Sequence, residues 1–441
     1  MTPRFLVRTE KHAPPGEAVR AQRADAFVDT IGVNTHFNYT NSPYATRFGE
    51  VRERLRESGI RHLRDGLFAD PMAAKRMTDL HRALGVRFLQ IVGPRVDSPR
   101  PWRGKLAPEK IPGELTVLKT LYGTACEAVE GPNEYDNTHV NPASPETTDP
   151  DWPATLERYT QALWRAMQAD PTLRKLPVLA PSLAHASRAD QCRDFSAFIT
   201  FGNLHPYPGG FGPGTPESRL DSYNIARTRR VSGAKRFWAS ETGYHNGMKH
   251  PPHGHEPAPE AVTGKYGPRL VAEYFRRGFS RAYFYELLDA GVDPTDREAN
   301  FGLLRHDLSP KPIFNALRDT IALLQDPSGT AFAPGTLSFH LSGSGDQSRI
   351  QHLLLQKRDG TFCLLLWQEV NSWDVASRKT IPVPDRPVTL TLSQPRITRA
   401  VTFLPSTHGT TPLAYYRQPA TIRLTVPDQL LVIELTPEVK S

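Results

Sequence analysis

Apolar runs of five to eight residues alternate with helical patterns along the first three quarters of the chain. The runs are residues 27–34, 60–65, 86–92, 126–130, 177–181, 199–205, 236–241 and 281–285. Helical patterns separate or follow them at Tyr44–Ser58, Pro71–Leu84, Leu156–Ala169 and Pro312–Leu324. Strands that alternate with helices are typical of a parallel sheet, and eight such units predict a (β/α)8 TIM barrel.

The pattern changes after Asp326, where short strand-like runs are separated by Gly, Pro, Ser and Asp. These runs are residues 339–341, 350–356, 361–368, 388–392, 400–404 and 420–435. They predict a C-terminal antiparallel β-sandwich, to which Arg4–Thr9 is a candidate further strand. We therefore expect an N-terminal segment at 1–26, a catalytic barrel at 27–328 and a sandwich at 329–441. The sandwich is expected to brace the barrel, with carbohydrate binding as the alternative.

Length and composition agree with a large domain plus a smaller one, because 441 residues exceed one ordinary core. The chain is 38% hydrophobic, and no apolar stretch reaches the roughly 20 residues that a membrane span needs. We therefore expect no membrane insertion. Residues 1–22 are polar and basic without an apolar signal-peptide core. A secreted or periplasmic location is favoured if a signal peptide has been removed, and a cytoplasmic one otherwise.

The net charge of +8 is dispersed along the chain. It favours an anionic partner such as an acidic polysaccharide or a nucleic acid, or it is simply a basic soluble surface. No basic-aromatic stripe, Gly-rich phosphate loop or Ser nucleophile elbow is present, so we expect no nucleic-acid partner and no such chemistry. The three cysteines are widely spaced, which argues against a disulfide framework. The oligomeric state stays open.

Two carboxylates carry most of the chemical signal. Glu134 lies in Glu130-Gly-Pro-Asn-Glu-Tyr-Asp136, and Glu241 lies in Trp238-Ala-Ser-Glu-Thr-Gly-Tyr-His-Asn246. Each follows or ends an apolar run, where a buried carboxylate is costly unless it is used or compensated. Catalytic residues of TIM barrels lie at the carboxyl ends of strands. The pair therefore favours the acid and the nucleophile of a glycosidase, with arginine-paired rim carboxylates as the alternative.

Four motifs resemble those of glycoside hydrolase clan A. They are Gly131-Pro-Asn-Glu134, His205-Pro-Tyr207, Ser240-Glu241-Thr-Gly243 and Phe301-Gly-Leu-Leu…Lys311-Pro312. The barrel is most similar to the β-xylosidase and α-iduronidase family, family 39, and to its bacterial exopolysaccharide-cleaving relatives. In that clan the acid/base follows strand four and the nucleophile ends strand seven. The resemblance implies a retaining glycosidase that needs no cofactor, with Glu134 as acid/base and Glu241 as nucleophile.

The resemblance also assigns supporting residues around these two carboxylates. Arg64, at the end of the second run, would hydrogen-bond the nucleophile, or else pair structurally with Asp65. Asn133 would contact the sugar 2-hydroxyl. His205 and Tyr207 would lie near both carboxylates. The alternative for the last two, and for His36 after the first run, is an ordinary packing role at the rim.

The remaining candidates lie at the eighth run and in loops. Tyr285 and Glu286 end that run, where the clan commonly has a Trp, so Tyr283 or Tyr285 is expected to substitute as the sugar floor. Trp102 and Trp152 are sugar-stacking platforms or loop anchors. Glu130 is expected to point into the barrel or toward Arg64, with direct substrate contact as the alternative.

The loop 246–260 is rich in His, Pro and Gly. His245, His250, His253 and His255 lie in or beside it with no carboxylate or thiol at ligand spacing. We therefore expect a flexible loop at the substrate cleft and no metal site. A glycan-binding barrel without activity and a metal-dependent TIM-barrel hydrolase are the competing functions. The sugar, its linkage and exo or endo action stay open.

Overall fold

Eight parallel strands form one sheet in the computed structural model, which describes residues 5–6, 16–93, 95–96, 105–139, 149–251, 255–326 and 331–438. In chain order they are β1 Ile31–Asn34, β2 His62–Gly66, β3 Arg87–Ile91, β4 Cys126–Glu130, β5 Val178–Leu179, β6 Gly202–Leu204, β7 Phe237–Thr242 and β8 Arg281–Phe284. Neighbours pair in the order β5-β4-β3-β2-β1-β8-β7-β6. A parallel bridge between Leu179 and Phe201 joins the two ends, so the sheet closes into the predicted barrel.

The helices connect these strands and cover the barrel. Their bounds are Ala24–Val28, Pro43–Thr46, Phe48–Ser58, Pro71–Leu84, Ile111–Val117, Tyr135–His139, Trp152–Ala169, Ala226–Ser232, Glu260–Arg276, Pro312–Leu324 and Pro405–His408. Pro71–Leu84 matches its predicted bounds because both ends carry local signals. The Asp70 carboxylate accepts a hydrogen bond from the Met72 N–H, and Gly85 takes the left-handed conformation that ends the helix.

Several of the predicted strands are shorter in the structure, and the largest differences are at the first and the sixth. Residues 27–30 are not strand, because Phe27 and Val28 end the helix Ala24–Val28. Ala24, Phe27 and Val28 are all buried at a helical spacing, so their apolar run belongs to a helix face. The sixth strand covers Gly202–Leu204 rather than residues 199–205, since a short 3-10 turn at Ser196–Phe198 precedes it.

The C-terminal part forms a two-layer antiparallel sandwich. One sheet runs Phe5–Leu6, Ala414–Arg417, Ile397–Phe403, Leu431–Pro437, Phe362–Gln368, Ile350–Gln356, Gln22–Arg23. The other runs Glu17–Arg20, Thr336–Ser342, Arg386–Gln394, Thr421–Val426. Small hairpin sheets pair Trp373–Asp374 with Lys379–Thr380 and Arg95–Val96 with Lys105–Leu106. The predicted single run at 420–435 is two strands, and the strand Ala414–Arg417 was not predicted.

The central strand Phe362–Gln368 packs on both of its faces. Leu364 and Leu366 belong to the core between the two sandwich sheets. Leu365 and Trp367 belong instead to the large core that covers the barrel helices. Because side chains alternate along a strand, the seven-stranded sheet is shared between the sandwich and the barrel.

Inside the barrel, a small core is formed by Leu89, Ala128, Leu179, Trp238 and Tyr283. It closes the barrel axis below the carboxyl ends of the strands, where the polar strand-end residues lie. Among the described residues, no helix is both long and apolar enough to cross a membrane.

Candidate active site

A cavity of about 1110 Å³ opens at the carboxyl ends of the barrel strands. Its walls come from the strand ends and from the segments after β1, β2, β4, β5, β6, β7 and β8. Eight of the predicted site residues line it: His36, Arg64, Asn133, Glu134, His205, Tyr207, Glu241 and Tyr285. The barrel therefore brings together residues that are far apart in the sequence.

Glu241 lies on the floor of the cavity and is held by two side chains. Arg64 Nη1 donates to Glu241 Oε1 at 2.7 Å, and the Tyr207 hydroxyl donates to Oε2 at 2.8 Å. Burial opposes ionisation, but the charges of His205 and Arg64, together with these hydrogen bonds, lower the pKa of Glu241 below 4.5. The carboxylate is therefore ionised and fixed in position.

Arg64 is the centre of the polar network. Its side chain is buried and makes a bidentate pair with Glu130, with Nε–Oε2 at 2.7 Å and Nη2–Oε1 at 2.9 Å. It also donates to Asn34 Oδ1 at 2.8 Å and to Asn133 Oδ1 at 2.6 Å. Two carboxylates thus share one guanidinium, which raises the pKa of Arg64 despite its burial. The alternative that Arg64 pairs with Asp65 does not hold, and Glu130 points toward Arg64 as expected.

Glu134 has a left-handed backbone with φ 43°, which sets it at the turn after β4. Its Oε1 lies 2.7 Å from His205 Nδ1. On the other side of the ring, His205 Nε2 lies 2.9 Å from Ser240 Oγ, and that hydroxyl donates to Glu130 Oε1 at 3.2 Å. Burial opposes protonation of His205, but the charges of Glu241 and Glu134 raise its pKa. A continuous chain of polar contacts therefore links Glu134 to the Arg64 network.

Asn133 is locked beside Glu134. Its Oδ1 accepts from Arg64 and from the Ser182 hydroxyl, the latter at 3.3 Å. Asn34, which the sequence analysis did not single out, is held similarly, since its Nδ2 donates to the Ser240 carbonyl at 3.1 Å. Asn34 ends β1 as a buried polar residue, so its position at a strand end was the available signal.

Aromatic side chains line the wall opposite Glu134. His36 stacks on Tyr39 with ring centroids 4.6 Å apart and an interplanar angle of 5°. Tyr285 and Phe301 pack edge-on at 5.4 Å. Burial lowers the pKa of His36 to about 4, so this imidazole is neutral near pH 7. Tyr39 was not predicted as a site residue, because nothing in its local sequence marks it as lining the cavity. Phe301 was named only as the start of a motif after the barrel and not as a residue of the site.

Three predicted positions lie elsewhere. Tyr283 is fully buried inside the barrel, where its hydroxyl donates to Glu127 Oε1 at 3.1 Å, so Tyr285 is the tyrosine that faces the cavity. Glu286 is buried behind His36, with Oε2 3.2 Å from His36 Nε2, and does not line the cavity. Trp152 begins the helix Trp152–Ala169 and is 3% exposed, so it anchors the core and is no stacking platform. Trp102 lies outside the described residues.

The His-rich loop contributes to the cleft through His255 and Glu256. His245 Nε2 donates to the His255 carbonyl at 2.8 Å, and Asn246 Nδ2 donates to the Ala258 carbonyl at 2.8 Å. Arg378 of the sandwich donates to the carbonyls of Met248 and His250. These contacts hold the described part of the loop against the barrel; His253 lies outside the described residues.

Glu134, His205 and Glu241 offer three ligand atoms within 4.8 Å of one another. Such a set has the donor atoms for a divalent cation such as Zn²⁺. Arg64, however, lies 2.7 Å from Glu241 and would repel the cation, and protonation of His205 would remove a ligand. Side-chain cations therefore already offset part of the carboxylate charge at this position.

The fold is similar to those of solved glycoside hydrolases. A family 39 glycoside hydrolase from the gut symbiont Bacteroides cellulosilyticus WH2 is 13% identical, with a TM-score of 0.61 over 94% of this chain and 82% of that one. A family 39 enzyme from Xanthomonas axonopodis pv. citri is 14% identical, with a TM-score of 0.59 over 95% and 96%. A glucosidase from Croceicoccus marinus is 12% identical, with a TM-score of 0.53 over 96% and 98%.

Sequence comparison adds nothing to this structural likeness. No family model matches the chain. No curated protein matches it either. The barrel with its appended sandwich therefore has the same fold as these family 39 glycoside hydrolases, at a sequence identity of 13–14%.

Proposed function

We propose that this chain is a retaining glycoside hydrolase that cleaves an oligo- or polysaccharide by double displacement. The observation that carries the proposal is the pair Glu134 and Glu241, which face one cavity with carboxylate oxygens within 4.8 Å. Retaining glycosidases have carboxyl groups about 5–5.5 Å apart, whereas inverting ones leave about 6.5–9.5 Å for a water molecule. The short separation favours a covalent glycosyl-enzyme intermediate.

Glu241 is the proposed nucleophile. It is held ionised by Arg64 and oriented by Tyr207, so one oxygen can attack the anomeric carbon without prior deprotonation. The same two donors hold the carboxylate when it leaves as a good leaving group in the second step. In the first step the bond from Glu241 to the anomeric carbon forms as the glycosidic bond breaks, and in the second step water displaces Glu241 from that carbon.

Glu134 is the proposed acid/base, and His205 keeps its proton close. Because Ser240 donates to Glu130, its oxygen accepts from His205 Nε2–H, which leaves Nδ1 facing Glu134. A protonated His205 donates to the Glu134 carboxylate, and a neutral one accepts from the Glu134 carboxylic acid. One proton is thus shared at this contact, ready for the leaving oxygen and later regained from water.

Asn133 and the aromatic wall supply the sugar site. Asn133 is fixed by Arg64 next to Glu134, a position suited to a contact with the sugar 2-hydroxyl. Tyr285 and Phe301 present ring faces and edges to the cavity in place of the Trp expected from the resemblance. Carbohydrates bind to such walls by covering them with C–H groups while their hydroxyls reach the polar network.

The test is hydrolysis of aryl glycosides in the presence of EDTA, with three proteins compared. Glu134→Ala should still be glycosylated by substrates with good leaving groups, and azide should restore its turnover. Glu241→Ala should be inactive unless an external nucleophile replaces the carboxylate, whereas Glu50→Ala, on an exposed helix, should behave as the unmodified protein. Proton NMR of the first product should show the anomeric configuration of the substrate.

Each other result has a definite meaning. Inversion in the first product would refute double displacement. Loss of activity with EDTA would point to a metal-dependent hydrolase. Binding of glycans without any turnover on a panel of aryl glycosides and polysaccharides would identify a glycan-binding barrel. A glycosyl azide of retained configuration from Glu241→Ala, together with one of inverted configuration from Glu134→Ala, would exchange the two assignments.

A further inference from the structure

Arg219 lines the cavity on the wall built by the loops after β5 and β6. Its guanidinium carbon lies 4.3 Å from the centroid of the Tyr223 ring, which also lines the cavity. An arginine stacked on an aromatic face is held in one orientation, while its N–H edge stays directed outward. The stack therefore presents a row of donors and a positive charge to whatever occupies this part of the cleft.

The charge of Arg219 is not balanced by the protein. Among the described residues, no carboxylate pairs with Arg219. The other two arginines that line the cavity are neutralised, Arg64 by Glu130 and Glu241 and Arg297 by Glu298 at 2.9 Å. Arg227, the second arginine near the Tyr223 ring, pairs with Asp190. Arg219 is thus a cation in the cleft that could bind an anionic group of a ligand.

The backbone holds Arg219 in this position. Its φ is 55°, a left-handed conformation that non-glycine residues adopt only at an energetic cost. The Arg219 N–H donates to the Pro216 carbonyl, and its carbonyl accepts from the N–H groups of Tyr223 and Asn224, each at 3.1 Å. Glu134 is the other non-glycine residue with positive φ that lines the cavity. Both side chains are therefore positioned by a backbone conformation of high energy, which contacts with neighbouring groups maintain.

The two acids nearest to Arg219 in the sequence, Glu217 and Asp221, are both held by other groups. Asp221 pairs with Arg277 at 2.7 Å, and Glu217 is held by the sandwich. Asn371 Nδ2 donates to Glu217 Oε2 at 3.3 Å, and Asn371 Oδ1 accepts from the Gly212 N–H at 2.8 Å. Glu217 would otherwise be a natural partner for Arg219, two residues further along. The contact with Asn371 leaves the guanidinium available to a ligand.

The position of this wall indicates which part of a substrate it meets. Glu134 N–H donates to Ser182 after β5, and the Tyr223 hydroxyl accepts from the Ser187 N–H in the same loop. The Arg219–Tyr223 wall therefore adjoins Glu134, which in the proposed mechanism protonates the departing oxygen. We propose that Arg219 and Tyr223 form a leaving-group subsite for a sugar that carries an anionic group, a carboxylate or a sulfate. This inference rests on the proposed function.

Binding measurements on the full chain test it, in a Glu241→Gln background so that no cleavage interferes. The probes are polygalacturonate and carboxyl-reduced polygalacturonan for carboxylates, and κ-carrageenan and desulfated carrageenan for sulfates. Affinity electrophoresis should show at least tenfold tighter binding to one charged polymer than to its neutral derivative. Arg219→Met should remove most of that difference, and Arg219→Lys should retain part of it.

Arg188→Met is the matched control. Arg188 also has no carboxylate partner among the described residues, but it does not line the cavity. It should leave the preference for the charged polymer unchanged. Equal losses in Arg219→Met and Arg188→Met would mean that the dispersed charge of +8 attracts the polymer, and would overturn the subsite. So would equal affinity for charged and neutral polymers, or no binding of any.

Aryl glycoside hydrolysis separates this proposal from the proposed function. If the unmodified chain hydrolyses aryl glycosides but shows no charge preference that depends on Arg219, only the subsite proposal is refuted. If a charge preference depends on Arg219 but no glycoside is hydrolysed, the proposed glycosidase function is refuted and the cleft is a binding site for anionic glycans.

Discussion

Arg64 illustrates how a single residue organises this site. It is almost fully buried and touches two carboxylates and two amide oxygens. A lone buried cation would cost several kcal/mol, so its position depends on Glu130 as much as on Glu241. In the proposed mechanism, Glu130 therefore acts through Arg64, as the anion that keeps the cation in place while Glu241 is esterified.

The Tyr207 hydroxyl gives a pH-dependent prediction. Its hydrogen bond stabilises ionised Glu241 and so lowers the pKa of that carboxyl. Tyr207→Phe should raise this pKa, which moves the acidic limb of kcat/KM to higher pH by about one to two pH units, since a hydrogen bond to a charge is worth about 1.5–3 kcal/mol. Aryl glycoside hydrolysis measured across pH checks the shift.

Tyr416→Phe, in the sandwich, serves as the control for that variant and should leave the acidic limb in place. An unmoved limb in Tyr207→Phe would show that another group governs ionisation of the nucleophile.

Asn133→Ala gives a second prediction at this scale. The substitution should lower kcat/KM by about 2 kcal/mol of transition-state stabilisation, because a contact with the sugar 2-hydroxyl strengthens as the transition state forms. Ser182→Ala, which removes the weaker contact to Asn133 Oδ1 and a 3.4 Å contact from the Glu134 N–H but leaves the Asn133 amide in place, should cost much less. If Asn133→Ala loses only a few tenths of a kcal/mol, the sugar lies elsewhere in the cavity.

At the scale of elements, the loop after β6 connects the cleft to the sandwich. The N–H groups of Gly212 and Gly214 donate to Asn371 Oδ1 and Glu369 Oε1, both at 2.8 Å. A Cβ at Gly214 would lie 2.6 Å from the Glu273 carboxyl carbon, so this close approach requires glycine. The sandwich thus shapes a wall of the cleft without lining it at these positions.

Asn371→Ala should loosen this loop and release Glu217 toward Arg219. We expect KM for oligosaccharides to rise severalfold while kcat for aryl glycosides changes little, because the catalytic carboxylates are not touched. Steady-state kinetics on both substrate types measure the split. Gln347→Ala, in another turn of the sandwich, should change neither constant; a fall in kcat for both substrates in Asn371→Ala would contradict the assignment to the loop.

At the scale of the whole molecule, the barrel and the sandwich are joined by a buried polar cluster. Arg269 is 0% exposed and pairs with Glu369 at 2.9 Å, and its Nη1 donates to the Asp428 carbonyl at 2.9 Å. Trp367 Nε1 donates to both Glu273 and Glu369 at 3.0 Å. Together with the shared face of Phe362–Gln368, this cluster supports the proposal that the sandwich mainly stabilises the barrel.

Arg269→Met should destabilise the protein by about 3–5 kcal/mol, because it leaves the Glu369 carboxylate buried without its cation. Chemical denaturation measures the loss. The double variant Arg269→Met with Glu369→Gln should recover part of it, and Arg47→Met, at an exposed ion pair, should change the free energy of unfolding little. A small effect of Arg269→Met would mean that the two parts fold independently.

Much of this architecture was predictable from local patterns. Neighbouring residues alone indicate the eight runs, the helix Pro71–Leu84 with its caps, and the change of pattern after Asp326. The placement of Glu134 and Glu241 at strand ends follows from the same count. Periodicity and turn chemistry act over a few residues, so they can be recognised in the sequence without knowledge of long-range contacts.

The contacts that give those residues a chemistry were decided by the tertiary structure. The stack of His36 on Tyr39, the burial of Trp152 and the chain from Glu134 through His205 and Ser240 join residues from different strands and loops. Glu217, two residues before Arg219, contacts Asn371 of the sandwich, 154 residues away in the chain. Whether a polar side chain is paired, buried or open to a ligand depends on groups far away in the chain, and only closure of the barrel brings them within hydrogen-bond distance.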